Sequence, residues 1–161
     1  MAKSTLLKSS IARKVAMALS GLFLIMFLSL HFFINMTSVF SADTFNVMSH
    51  FMGYNPLVQF IMQPILVAGV IFHFIMGFVL ELKNRSARPI GYAKYNGAAN
   101  ASWASRNMIV SGLVVLAFLV LHFYDFWFPE MVYKYVSVNP EEPTRYYEEL
   151  AHKFESPIRT G

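Results

Sequence analysis

Val15-Ala-Met-Ala-Leu-Ser-Gly-Leu-Phe-Leu-Ile-Met-Phe-Leu-Ser-Leu-His-Phe-Phe-Ile-Asn-Met36 runs for 22 residues without Asp, Glu, Lys or Arg. About 20 helical residues, rising 1.5 Å each, cross the ~30 Å hydrocarbon layer of a bilayer. The stretch is apolar nearly all round, so it suits a membrane and not one-sided packing on a soluble core. It is too long for the apolar region of a secretory signal peptide, and no small-residue cleavage site follows it. Outward from this segment, residues 44–80 are equally free of charge, interrupted by the turn-like Gly53-Tyr54-Asn55-Pro56, and a third uncharged run covers 107–124. The reading is an all-α membrane protein, a single domain over 1–161, with spans at about 15–36, 57–80 and 107–128.

Composition supports this: 56% hydrophobic residues, 14% charged and no cysteine, with a mean hydropathy of +0.47. The lack of cysteine excludes disulfides and thiolate-held metal or iron–sulfur clusters from this chain. A pI near 9.4 does not signal nucleic acid, because the cations gather at membrane edges. Lys3, Lys8, Arg13 and Lys14 precede the first span, and Lys83, Arg85, Arg88, Lys94 and Arg106 fill the loop between the second and third, while 37–56 has no Lys or Arg. The positive-inside rule then places the N-terminus and the second loop in the cytoplasm. Trp103 and Trp127 fit the two interfacial aromatic belts. The expected outer tail, 129–161, is punctuated by Pro129, Pro140, Pro143 and Pro157. Within it 144–155 has helical spacing, with Arg145/Glu149 and Glu149/Lys153 at i,i+4. Tyr146, Tyr147, Leu150 and Phe154 give that segment an apolar side, suited either to the membrane surface or to a solvated loop helix. No internal repeat, phosphate loop or nucleophile motif is evident.

His31, His73 and His122 each lie inside a span, where an ionisable residue is costly and marks a functional position by default. Measured from the cytoplasmic ends, His31 and His122 are both roughly 23 Å deep and His73 about 10 Å deep, at 1.5 Å per residue. A lone intramembrane histidine equally fits a hydrogen bond between helices. A level pair with a third at another depth fits better with stacked haems, whose iron takes one imidazole from each face. Zinc would need a compact cluster, and a proton path would recruit acids within the spans, whereas Glu81 and Asp125 sit at their ends. Gly69 and Gly77, four residues either side of His73, leave space for a porphyrin or for close helix packing, as do Ser20 and Gly21. Arg13, Lys14, Arg85, Arg88 and Arg106 are candidates for haem propionate contacts as well as topology signals. His50 and His152 fall in the outer loop and tail, where they read as solvated.

Lys14-Val-Ala-Met-Ala-Leu-Ser-Gly21 leading to His31-Phe-Phe-Ile-Asn35, then Ile71-Phe-His73-Phe-Ile-Met-Gly77, then Ala104-Ser-Arg-Asn-Met108 followed by Leu121-His-Phe-Tyr-Asp-Phe-Trp127, resemble a family by their order and spacing. It is the single-polypeptide dihaem cytochrome b membrane anchor of succinate dehydrogenase and fumarate reductase, in the form found in Bacteroidetes-like bacteria. The resemblance covers the whole chain. It implies a five-helix haem-binding bundle in the bacterial inner membrane, of which three helices and an outer amphipathic segment are present. His31 and His122 are implied as ligands of a distal haem b and His73 as one ligand of a proximal haem b. The implied partners are a flavoprotein and an iron–sulfur subunit, which hold the dicarboxylate chemistry, and a quinone, implied as menaquinone. Asn35, Gln59, Gln63 and Asp125, polar residues at the outer ends of the helices, are candidates to hydrogen-bond or protonate it, and equally fit ordinary helix-end polarity. The family's fourth ligand lies on a later helix, so the chain is expected to be C-terminally incomplete after Arg159-Thr160-Gly161, with His73 beside an open groove. A cytochrome b of a hydrogenase or formate dehydrogenase, and a haem-free membrane scaffold, are the alternatives.

The charge asymmetry makes a direct prediction, and the cysteine-free chain makes it simple to check. A membrane-impermeant thiol reagent applied to intact cells should label Ser41→Cys and spare Ser86→Cys; the opposite pattern reverses the topology.

Overall fold

The computed structural model describes residues 9–87, 90 and 96–155. Lys3, Lys8, Arg88, Lys94, Pro157 and Arg159-Thr160-Gly161 lie outside the described residues. Those described are 86% helical and contain no strand. Among the described residues six helices follow one another: α1 Ser10–Phe40, α2 Ala42–Tyr54, α3 Val58–Ser86, the four-residue α4 Trp103–Arg106, α5 Met108–Val136 and α6 Arg145–Phe154. A short 3₁₀ turn, Gly97–Ala99, precedes α4. Helices α1, α3 and α5, of 31, 29 and 29 residues, are long and apolar enough to cross a membrane. The expected spans fall on these three helices.

Helix α1 is longer than the expected span at both ends and α3 at its far end, by four to six residues each, and two further boundaries differ from the sequence reading. The third span was expected to end at 128, yet α5 continues through Pro129 to Val136. The segment 37–56 was expected as a loop, yet most of it is helix, α2 included. The difference in α5 has a backbone cause. Proline has no N–H, and its ring clashes with the carbonyl four residues earlier. In α5 the turn before Pro129, Phe123–Trp127, is widened to a π-helix, which moves the Asp125 carbonyl out of the way. In α3 the same device precedes Pro64, where the π turn Val58–Met62 is centred on Phe60. Wide turns of this kind let a helix pass a proline without breaking.

Helix α2 exists because its ends are capped. Ser41 is extended (φ −158°, ψ 115°) and stops α1, while its Oγ accepts the Thr44 N–H at 3.2 Å. Asp43 adds a negative charge to the first turn, where the helix dipole favours it. At the other end Asn55 separates α2 from α3, and its Oδ1 accepts the N–H groups of Leu57 and Val58 at 3.0 and 3.3 Å. The Gln59 amide donates to the Gly53 carbonyl across the same turn.

Contacts divide the chain into two compact units, Met1–His73 with Glu141–Gly161, and Phe74–Pro140. In the first, α1 and α3 are fitted together by glycine notches of opposite sense. A Cβ on Gly21 of α1 would stand 3.2 Å from His73 Cε1, and one on Gly69 of α3 would stand 3.1 Å from Phe23 Cε1. Each helix thus receives an aromatic ring from the other, as small residues allow in membrane bundles. Beyond them α6 packs on α2. Thr144 makes no side-chain cap for α6; the Asn46 Oδ1 of α2 instead accepts the Tyr147 N–H at 2.8 Å, 101 residues away in sequence. Phe45, Asn46 and Arg145 are buried there. Arg145 also pairs with Glu149 at 2.8 Å and stacks over Tyr146, 4.4 Å from the ring centroid.

In the second unit, Ser102 caps α4 through the Ser105 N–H at 3.2 Å, and the Asn107 amide donates to the Trp103 carbonyl at 2.9 Å. Past α5 the chain turns at Val138, whose φ of 47° is uncommon for a β-branched residue. The Asn139 N–H to the Tyr133 carbonyl, 3.1 Å, and the Tyr133 hydroxyl to the Pro140 carbonyl, 2.9 Å, fasten this turn.

Among the described residues Phe45 is the one buried apolar side chain, while large apolar side chains such as Leu22 (64% exposed) and Phe118 (62%) face outward. Exposed apolar surface on that scale, on helices long enough to cross a membrane, is of the kind that meets lipid or neighbouring protein. Removing the long-range cap checks how α6 is held. Asn46→Ala leaves the Tyr147 N–H without its acceptor and should cost about 1 kcal/mol locally, read as roughly five-fold faster hydrogen exchange at Tyr147 and its neighbours in α6, with α1 and α3 unchanged.

Candidate functional site

His73 occupies the notch on α1. Its Nδ1 lies 2.9 Å from Ser20 Oγ, and Ser20 Oγ donates to the Met17 carbonyl at 2.8 Å. A hydroxyl has one proton, and the Met17 carbonyl and His73 Nδ1 are both within its reach. With that proton on Met17, Ser20 accepts from the ring, the imidazole proton sits on Nδ1 and the lone pair is on Nε2. This is the arrangement by which a second contact orients a metal-ligating imidazole and raises its basicity. The side chain is half-buried. It was expected beside an open groove; it lies instead against Ser20 and Gly21, because the missing Cβ of Gly21 makes room for the ring.

The glycines expected to leave porphyrin space are used for helix packing where the structure describes them. Phe23 fills the notch at Gly69, and His73 fills the one at Gly21.

His31 and His122 have closely matched surroundings. His31 stacks on Phe27, one turn earlier, with centroids 5.5 Å apart and planes at 25°. His122 stacks on Phe118, also one turn earlier, at 5.7 Å and 21°, and is flanked by Phe126 at 5.3 Å and Phe123 at 6.4 Å. This likeness has a sequence signal that the search for repeats missed. Phe27-Leu-Ser-Leu-His-Phe-Phe33 and Phe118-Leu-Val-Leu-His-Phe-Tyr124 differ at two of seven positions. A seven-residue repeat is far shorter than the 20–50-residue periods of repeat architectures, but it gives two intramembrane histidines the same aromatic brace.

The other candidates are placed as follows. Arg85 is paired with Glu81 at 2.7 Å and is well exposed, Arg106 donates to the Ala101 carbonyl at 3.0 Å, Lys14 is exposed and Arg13 half-buried. The Asn35 amide donates to the His31 carbonyl at 2.8 Å, so it braces the helix turn that carries His31. Gln59 is engaged with Gly53, and Gln63 and Asp125 are half-buried, Asp125 at the centre of a π turn. Among the described residues no three of His, Asp and Glu gather as a metal-binding group; two-histidine ligation does not call for one.

His152 is exposed on α6. His50, expected as a solvated loop residue, belongs to α2. It stacks on Tyr54 at 4.9 Å, meets Tyr146 edge-on at 6.5 Å, and approaches Glu141 to 2.5 Å with its side chain 24% exposed. That approach is not counted among the hydrogen bonds. The fold of α6 onto α2 makes it, and no sequence pattern announces it. The apolar side expected on 144–155 is largely spent on the same contact, with Tyr146, Tyr147 and Leu150 half-buried and Phe154 left 60% exposed.

Comparison with known proteins returns no matching family model, no matching curated protein and no matching solved structure.

The hydroxyl relay makes a prediction specific to His73. In the isotope-labelled protein without added haem, its imidazole should give a protonated-type ¹⁵N shift at Nδ1 and an unprotonated-type shift at Nε2. Ser20→Ala, which keeps the Cβ and removes only the acceptor, should shift the ring toward a mixture of tautomers; an unchanged spectrum would show that Ser20 does not set the proton.

Proposed function

We propose that the chain is the haem b-binding, membrane-anchoring electron-transfer subunit of a succinate:quinone oxidoreductase. It carries electrons between an iron–sulfur subunit on the cytoplasmic side and menaquinone in the bilayer of a bacterial inner membrane, a flavoprotein partner converting succinate and fumarate. The observation that carries this reading is the imidazole of His73, held inside an apolar helix long enough to cross a membrane with its Nδ1 2.9 Å from the Ser20 hydroxyl, the kind of second contact that orients a metal-ligating imidazole. Further support comes from the common Phe-Leu-X-Leu-His setting of His31 and His122 and from the family resemblance of the motifs around all three histidines.

In this reading His31 and His122 serve one haem and His73 another. Haem held by these histidines would supply a one-electron iron couple, and ligation by two imidazoles would suit electron transfer and not oxygen chemistry. The chain's own residues do the rest. Ser20 orients the ring of His73, Phe27 and Phe118 restrain the rings of His31 and His122, and Asn35 ties down the His31 carbonyl. Quinone reduction consumes protons as well as electrons. Asn35 and Gln59 have amide donors already engaged by carbonyls; Gln63 is an uncharged donor, and Asp125, a carboxylate in a half-buried π turn, is the group suited to hold and pass a proton. The exposed and semi-exposed cations Arg13, Lys14, Arg85 and Arg106 are the partners for propionates or for the docked subunits.

A haem-free role in helix packing is the second reading, favoured by the close fit of His73 into the Gly21 notch. Spectroscopy on the membrane-embedded protein separates the two. Reduced-minus-oxidised spectra should show a b-type α-band, from which His31→Ala and His122→Ala remove the same component and His73→Ala a different one. A full complement of haem in His31→Ala would falsify the pairing, and no α-band in the unaltered chain would favour the scaffold. Co-purification with a flavin-containing, succinate-oxidising pair distinguishes this oxidoreductase from a hydrogenase or formate dehydrogenase.

A further inference from the structure

The segment between the first two spans is a helix with two different long faces. On α2, Phe45 and Asn46 are buried, and Ser49, His50, Met52 and Gly53 on the same side are half-buried. The opposite side carries Thr44, Val47, Met48 and Phe51, all exposed, with Val47 at 69% and Phe51 at 57%. At 100° per residue Val47, Met48 and Phe51 fall within one apolar stripe.

The height of α2 follows from the helices that hold it. One residue, Ser41, joins it to α1 and one residue, Asn55, joins it to α3. From the inner charge at Lys14, Ser41 is 27 residues along the chain, and from the inner charge at Glu81, Asn55 is 26 residues back. At 1.5 Å per residue both ends of α2 stand about 40 Å from the cytoplasmic charges, beyond a ~30 Å hydrocarbon core and within the 40–45 Å that includes the headgroups. Two ends at one height mean a helix lying along the surface, at the boundary between headgroups and acyl chains. There, an apolar stripe meets lipid.

We propose that α2 is an interfacial helix whose Val47-Met48-Phe51 stripe is seated in the outer leaflet of the bilayer, with Phe45 and Asn46 turned to hold α6. The occupant of the stripe is lipid, because covalent continuity with two spans fixes the helix at the lipid boundary. The attraction is apolar burial, since α2 carries Asp43 and no Lys or Arg to recruit anionic headgroups. This inference is independent of the haem reading; it needs α1 and α3 to cross the membrane, and the choice of leaflet follows the loop charges.

The test uses the full chain in phosphatidylcholine vesicles, with a nitroxide on a single introduced cysteine at Val47, Phe51, His152 or Leu22. His152 is exposed on α6 and Leu22 is exposed on the apolar middle of α1. Collision with oxygen, which concentrates in lipid, is compared with collision with a water-soluble nickel chelate. Labels replacing Val47 and Phe51 should show an oxygen-to-nickel ratio several-fold above that at His152 and approaching that at Leu22. A ratio equal to that at His152 would put the stripe in water and overturn the proposal. Low collision with both reagents would mean a protein covers the stripe and would overturn it equally. Because all four positions are exposed, the labels displace no packed side chain.

Discussion

Hydrocarbon offers no hydrogen-bond partners, so every backbone N–H and C=O in it must be satisfied by the chain itself. The rest of this structure depends on that constraint. The three long apolar helices meet it directly. Where a proline would break the ladder, at Pro64 and Pro129, the preceding turn widens to a π-helix and the helix goes on. Polar side chains inside the spans obey the same rule, with Ser20, Ser29, Asn35 and Ser111 each donating to a carbonyl three or four residues back. Ser20 does more than this, because its oxygen also lies 2.9 Å from His73 Nδ1.

Lipid removes the hydrophobic effect as a force between spans, so helices are matched by shape and by hydrogen bonds. The fit of α1 and α3 shows both: His73 in the Gly21 notch, Phe23 in the Gly69 notch, and the Ser20–His73 bond between them. Between α2 and α6 the means are different. Helix α6 is fastened to α2 by a cap from Asn46, an aromatic edge between Tyr146 and His50, and the close approach of His50 to Glu141. Such contacts tolerate water and would be costly in lipid if left incomplete.

The legible parts of the fold were those governed by one-dimensional signals. Uncharged length marked α1, α3 and α5, and the i,i+4 pairing of Arg145 with Glu149 marked α6. Helix α2 was not legible because its apolar and polar residues serve two different surroundings and its start signal, Ser41 capping Thr44, lies in a stretch with no breaker before it. The end of α5 was obscured by Pro129, ordinarily a stop, here absorbed by a wide turn. At the candidate site the placement of His31, His73 and His122 inside long apolar helices was readable from the sequence, since ionisable groups in apolar runs are rare. The Phe-Leu-X-Leu-His brace was present in the sequence but too short to register as a repeat.

Length without charge is enough to make the chain helical and, in three places, long and apolar enough to cross a membrane, and the sequence alone shows which histidines interrupt those apolar runs. The Ser20 partner of His73, the use of Gly21 and Gly69 as notches, and the capping of α6 by Asn46 belong to the tertiary structure. Each of these joins residues from different helices, 53, 46 to 52 and 101 positions apart. Periodicity reports what a residue's own helix does with it, and carries no information about which ring, hydroxyl or amide another helix brings to the same place.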